Sequence, residues 1–160
     1  MHLIKLKGDD FIFGLGKREK RLFTELLKLY PLIPPAHHRL SRSASSTALE
    51  SHQRLLDEAL AEQRAENKSL LETMLAEDGR FTPTEAGFRF SVNRSQLEWL
   101  LQVLNDIRVG SWLILGEPDE NKGKPLRVTP DNTHYVIAME GCSHFQSELL
   151  LALEKREESH

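Results

Sequence analysis

The chain has 160 residues, with 21 Lys or Arg against 24 Asp or Glu, a net charge of −3, and a single cysteine, Cys142. That length suits one domain that buries about two-thirds of its unfolded surface without disulfides or metal, and one cysteine excludes an intrachain disulfide framework. No run reaches the ~18 apolar residues of a membrane span, and Lys5, Lys7, Asp9 and Asp10 interrupt the opening MHLIKLKGDDFIFG, so neither a leader nor a span is expected and the cytoplasm is the expected compartment.

Residues 1–46 carry nine basic against four acidic side chains, whereas residues 47–160 carry twelve against twenty. Such segregation either steers an anionic partner to the first segment or lets that segment pack against the acidic remainder of its own chain, and the second is the expected arrangement.

Residues 2–7 alternate weakly, Gly8-Asp9-Asp10 make a turn, and FIFG follows, which predicts a β-hairpin over residues 1–14. Two strands alone are marginal in water, so the hairpin must lie on helices, pair with Arg89 to Val92, or pair with a second subunit, and its edge invites dimerisation. Leu22, Phe23, Leu26, Leu27 and Tyr30 recur at spacings of three and four, predicting an amphipathic helix from Lys17 that Pro31 closes. Residues 31–46, with three prolines and a serine-rich tail, read as a long loop. Thr47 and Glu50 have capping-box spacing ahead of the longest helix, which runs to about Glu77 and ends at Gly79. Its apolar stripe is broken by QRAENKS, so the helix is expected to protrude or bend there.

Phe88 to Val92 alternate strictly and predict one further short strand. Asn93 with Gln96 then caps a helix through SQLEWLLQVLNDIRVGSWLILG, which Gly116 and Pro118 stop. So apolar a helix is the expected centre of the domain, covered on most sides. A second polar loop spans 117–129. Thr129 and Pro130 predict a cap and first-turn proline for the last helix, striped by Tyr135, Ala138, Met139, Cys142, Phe145, Leu149 and Leu153. The expected fold is therefore mainly α, a four-helix bundle-like single domain over 1–160, with a helical body at 15–157, a short N-terminal β-hairpin and at most one further short strand.

Asn105, Asp106 and Arg108 are polar insets in the central helix. Helical spacing puts Asn105 and Arg108 on one face and turns Asp106 away, so Asp106 and Arg108 do not pair easily. They suit either a ligand pocket, with Arg108 binding an anion and Asp106 or Glu140 acting as base, or a structural network in which each has a protein partner, and the network is the expected reading. None of the seven histidines has metallohydrolase spacing, and His37-His38 fall in the proline loop, so no metal or other cofactor is expected. Cys142 and His144, two apart on a helix, face away from each other and make no nucleophile pair, which leaves Cys142 a core thiol. Gly14-Leu15-Gly16 ahead of a helix could cradle a phosphate but lacks any nucleotide fingerprint. Lys17, Arg18, Lys20 and Arg21, with Arg39 and Arg42, form a candidate anion or nucleic-acid face without interleaved aromatics, so nucleic-acid binding is not the expected role. Trp99 and Trp112, thirteen residues apart, should point to different sides of their helix.

The segment WLLQVLNDIRVGSWLILG, preceded by the long charged helix and followed by FQSELLLALE, resembles the bacterial domain-of-unknown-function family two-thousand-and-seventeen, chiefly over residues 95–155. The resemblance implies a small, helical, cytoplasmic protein of unassigned activity and brings no catalytic residues. With no catalytic constellation in view, the expected role is a helical protein-interaction or regulatory module that self-associates. A small-molecule or anion-binding protein or enzyme built on Asn105, Asp106 and Arg108, and a weak nucleic-acid binder, are the rivals.

Overall fold

The computed structural model describes residues 1–33 and 47–159. The chain runs β1 (His2–Lys7), β2 (Asp10–Leu15), α1 (Lys17–Leu27), α2 (Thr47–Ala76), β3 (Phe81–Thr84), β4 (Gly87–Asn93), α3 (Arg94–Ile114) and α4 (Thr133–Glu158). The strands form one antiparallel sheet in the order β1-β2-β4-β3. This corrects the expected four-helix bundle-like domain: the hairpin takes the pairing with Arg89 to Val92 that was one of its alternatives, the further strand being β4, and β3 adds a fourth, so that the helices lie on a four-stranded sheet. Phe81-Thr-Pro-Thr gave no alternation from which to predict a strand, because what makes it extended is its ladder with β4, Phe81 opposite Phe90 and Thr84 opposite Gly87.

Register sorts the two faces. Leu3, Phe13, Phe90 and Phe81 lie across one row on the inner face, with Leu6, Phe11 and Val92 on the next. Their neighbours His2, Gly14, Arg89 and Thr82, then Lys5, Ile12 and Ser91, face outward. Among the described residues α1 and α4 lie against the inner face. Phe90 stacks on Phe81 at 4.9 Å and meets Phe23 of α1 edge-on at 5.4 Å, and Phe23 in turn meets Phe145 of α4 at 4.9 Å. Phe11, Phe13, Phe23, Phe90 and Phe145 are fully buried.

Both sheet edges are blunted. β1 carries Lys5 and Lys7 and an irregularity between Leu3 and Lys5, and β3 contains Pro83, which are the usual devices against edge-to-edge pairing. Gly87 joins β3 to β4 with φ of 149°, and a Cβ there would sit 2.2 Å from the Leu15 carbonyl oxygen, so the close approach of β4 to β2 requires glycine.

α3 begins where β4 ends. Asn93 Oδ1 accepts from the Gln96 N–H at 2.8 Å while Gln96 Oε1 accepts from the Asn93 N–H at 3.0 Å, the reciprocal cap expected from sequence. α3 and α4 run side by side, with Leu97, Leu100, Leu104 and Ile107 buried alongside Ala138, Cys142, Phe145 and Leu149. α4 starts later than Thr129 and Pro130 suggested. Those residues form a turn instead, in which Asn132 Oδ1 accepts from the Thr129 N–H and Asn132 Nδ2 donates to the Arg127 carbonyl, both at 2.8 Å. Near the other end of α4, the buried Arg156 pairs with Asp9 of the β1–β2 turn and lies 5.1 Å from the Phe11 ring.

α2 stands apart from this body. Among its 30 residues only Leu71 and Met74 are buried. Its C-terminal end is fastened by Asn67 Nδ2 donating to Tyr30 Oη at 3.1 Å, and by Arg80 just beyond it, whose Nη1 donates to the Ser91 carbonyl at 2.6 Å and to Gln96 Oε1 at 3.1 Å. Among the described residues no helix is long and apolar enough to cross a membrane. Phe90→Ala removes the ring shared by β3, α1 and β2, and should cost about 3–5 kcal/mol in urea unfolding with the cooperative transition retained.

Candidate functional site

The polar insets of α3 separate, as helical spacing implied. Asp106 Oδ1 accepts from the backbone N–H of Leu32 at 2.7 Å and of Ile33 at 3.3 Å. One turn later Gly110 leaves room for Leu32, since a Cβ at Gly110 would lie 2.8 Å from the Leu32 carbonyl carbon. Asp106 and Gly110 thus form a seat for the segment that follows α1. The carboxylate satisfies two main-chain donors that the turn leaves without helical partners. Arg108 points elsewhere: its Nη2 donates to Asn105 Oδ1 at 2.9 Å, an exposed contact one turn along the same helix. Among the described residues no acidic side chain pairs with Arg108, so its part in the expected network is the bond to Asn105.

A concavity of about 250 Å³ lies between α2 and α3, lined by Tyr30, Leu60, Asn67, Trp99, Asn105 and Asp106 among others. A second, of about 360 Å³, continues on the other side of Asn67 and Trp99 toward Met74 and Gln96. Arg108 lines neither. The structure therefore brings Asn105 and Asp106 to one groove and leaves Arg108 outside it, and the carboxylate in the groove is already engaged with backbone. Trp99 faces this groove, whereas Trp112 donates its Nε1–H to the Pro118 carbonyl at 3.2 Å at the far end of α3.

The phosphate-cradle reading of Gly14-Leu15-Gly16 meets a direct obstacle. Glu19 Oε2 accepts the Gly16 N–H at 2.9 Å, placing a carboxylate of the chain itself at the N-terminus of α1. Burial pushes the Glu19 carboxyl up, but bonds from the Met1 amino group and the Gly16 N–H, with the nearby charge of His144, outweigh it, so Glu19 ionises below its usual value.

The basic residues of α1 divide. Lys20 lies 4.0 Å from the Phe88 ring and 5.0 Å from Phe81, a cation–π cluster that sequence could not show because the two rings come from β4 and β3. Lys17, Arg18 and Arg21 are exposed. Lys28 pairs with Glu25 of the same helix at 2.7 Å. Among the described residues no lysine or arginine of the first segment pairs with an acid of the remainder; the ion pairs that cross between the segments run the other way, Asp9 with Arg156 and His144 with Glu19. The expected packing of the basic segment against the acidic body is thus not what its cations do. Arg39, Arg42, His37 and His38 lie outside the described residues.

Cys142 is fully buried, and burial pushes its thiol up to about 12, with the charge of Arg108 opposing. His144 is exposed and turned toward Glu19 at 3.9 Å, so no thiol–imidazole pair exists. No group of three His, Cys, Asp or Glu among the described residues could hold a metal ion. No family model matches this chain, and neither a curated protein nor a solved structure does.

Asp106→Ala leaves two backbone N–H groups unsatisfied and should lower stability by about 1–3 kcal/mol, whereas Arg108→Ala should change it by less than about 0.5 kcal/mol, both measured by urea unfolding. Cys142 should resist an aromatic disulfide reagent in the native protein at neutral pH and react at the rate of unfolding. Because its folded pKa lies above the unfolded 9.0, its contribution to stability is whole below pH 9.0 and declines as pH rises toward 12. Cys142→Ala should therefore show a shallower alkaline loss of stability than the parent.

Proposed function

We propose that this protein is a helical protein-interaction or regulatory module that self-associates, and that α2 is its docking element. The observation that carries the reading is the exposure of α2: Leu55 and Leu70 are 63% and 55% accessible on a helix whose buried residues are confined to its last third. At ~1.5 Å per residue such a helix is about 45 Å long, longer than the part that its own body covers. Exposed leucines on an otherwise charged helix suit helix-to-surface docking. A catalytic reading of the α2–α3 groove has less support, since Asp106 is committed to backbone and Arg108 faces away. The buried thiol fits a reducing compartment, and we place the protein in the cytoplasm, as its resemblance to domain-of-unknown-function family two-thousand-and-seventeen also implies.

Sedimentation velocity of the full chain over a range of concentrations tests this. The parent should shift from monomer to dimer or higher species, and Leu55→Glu should weaken that association at least ten-fold, about 1.4 kcal/mol. A parent that remains monomeric at every concentration overturns self-association.

A further inference from the structure

The outer face of the sheet ends in a concavity of about 210 Å³ over Gly14 and Gly16, rimmed by His2, Ile4, Phe88 and Arg89. None of its described lining residues is acidic. Ile4 is 45% exposed, an apolar contact beside the charges. Lys17 and Arg18 follow Gly16 directly. Among the described residues, Lys17, Arg18 and Arg89 make no ion pair and no side-chain hydrogen bond.

A matching surface lies on α2. Leu55, Glu58, Glu62 and Glu66, spaced three, four and four apart, share one face of the helix, and all four are exposed. Their carboxylates also lack ion pairs among the described residues. Among the described residues, one chain therefore displays a concavity that holds Ile4 and Arg89, with Lys17 and Arg18 beside it and the Glu19 carboxylate occupied by the Gly16 N–H and the Met1 amino group, and, elsewhere, an anionic helical stripe without ion pairs, headed by a leucine.

We infer that the occupant of the concavity is α2 of a second copy of this chain. Leu55 enters beside Ile4, and Glu58, Glu62 and Glu66 meet Arg89, Lys17 and Arg18. Complementary fields of this kind steer encounter and fix register, while the leucine supplies the desolvated contact. The inference rests on the interaction reading above and names its partner and surface. It also accounts for the charge segregation, because the basic segment finds its acids between molecules rather than within one.

A charge exchange tests it. The triple variant Lys17→Glu, Arg18→Glu, Arg89→Glu and the triple variant Glu58→Lys, Glu62→Lys, Glu66→Lys should each sediment as monomers, while their equimolar mixture associates again, which also shows that both are folded. Association of the parent should weaken at least about ten-fold between 0.05 and 0.5 M salt as screening shortens the reach of the charges. If both variants associate as the parent does and salt has no effect, the charge pairing is overturned and docking through α2 survives by another route. A monomeric parent overturns both readings. A monomeric parent that binds a labelled single-stranded oligonucleotide, with binding lost in the basic-face variant, overturns the inference in favour of a nucleic-acid partner.

Discussion

Everything in this molecule hangs on the burial of Phe90. It sits on a central strand, stacks on Phe81 of the edge strand, lies across from Phe13 of β2 and receives the edge of Phe23 from α1. Phe23 passes the contact to Phe145, so α4 is fixed by the same aromatic chain. Aromatic rings bury large areas and interlock at fixed distances, which makes such a cluster both cohesive and specific. Because β4 runs straight into α3 through the Asn93 cap, the ring that places β4 also places the first turn of α3.

Much of this could be read from residues in order, and what could not has a common cause. The Asn93 and Gln96 cap, the alternation from Phe88 to Val92 and the stripes of α1 and α4 are local patterns, and local patterns survive folding. β3 has no such pattern, since its only inward ring is Phe81 and its Pro83 argues against a strand; pairing with β4 decides it. Missing that one strand turned a helical layer over a sheet into a bundle. The site shows the same division. Helical geometry was enough to separate Asp106 from Arg108, but the partners of Asp106 are main-chain groups more than seventy residues away, and nothing in the neighbourhood of Asp106 announces them.

The charge count illustrates a different limit. Totals established that the first segment is basic and the rest acidic, yet not which cations meet which acids. Among the described residues the cations withdrawn from water are held: the buried Arg156 by Asp9 and Phe11, and the half-buried Arg80 by Glu77, Ser91 and Gln96. In each pair the cation is the desolvated partner, while Asp9 and Glu77 keep much of their water. Of the exposed cations, Lys28 and Arg94 pair with acids of their own turn, and Lys17, Arg18 and Arg89 make no ion pair among the described residues. Changing the exposed set leaves the aromatic core as it is.

Gly87 has a consequence for ancestry. Any side chain there would strike the Leu15 carbonyl, and the backbone angle is one that L-residues rarely adopt, so two independent constraints meet at a single position. A distant relative could exchange every surface charge and still keep this fold, but it could not place another residue between β2 and β4 without pushing the central strands apart. Glycine at that point, followed three residues on by an aromatic, is thus a mark by which descent could be traced after overall identity has faded.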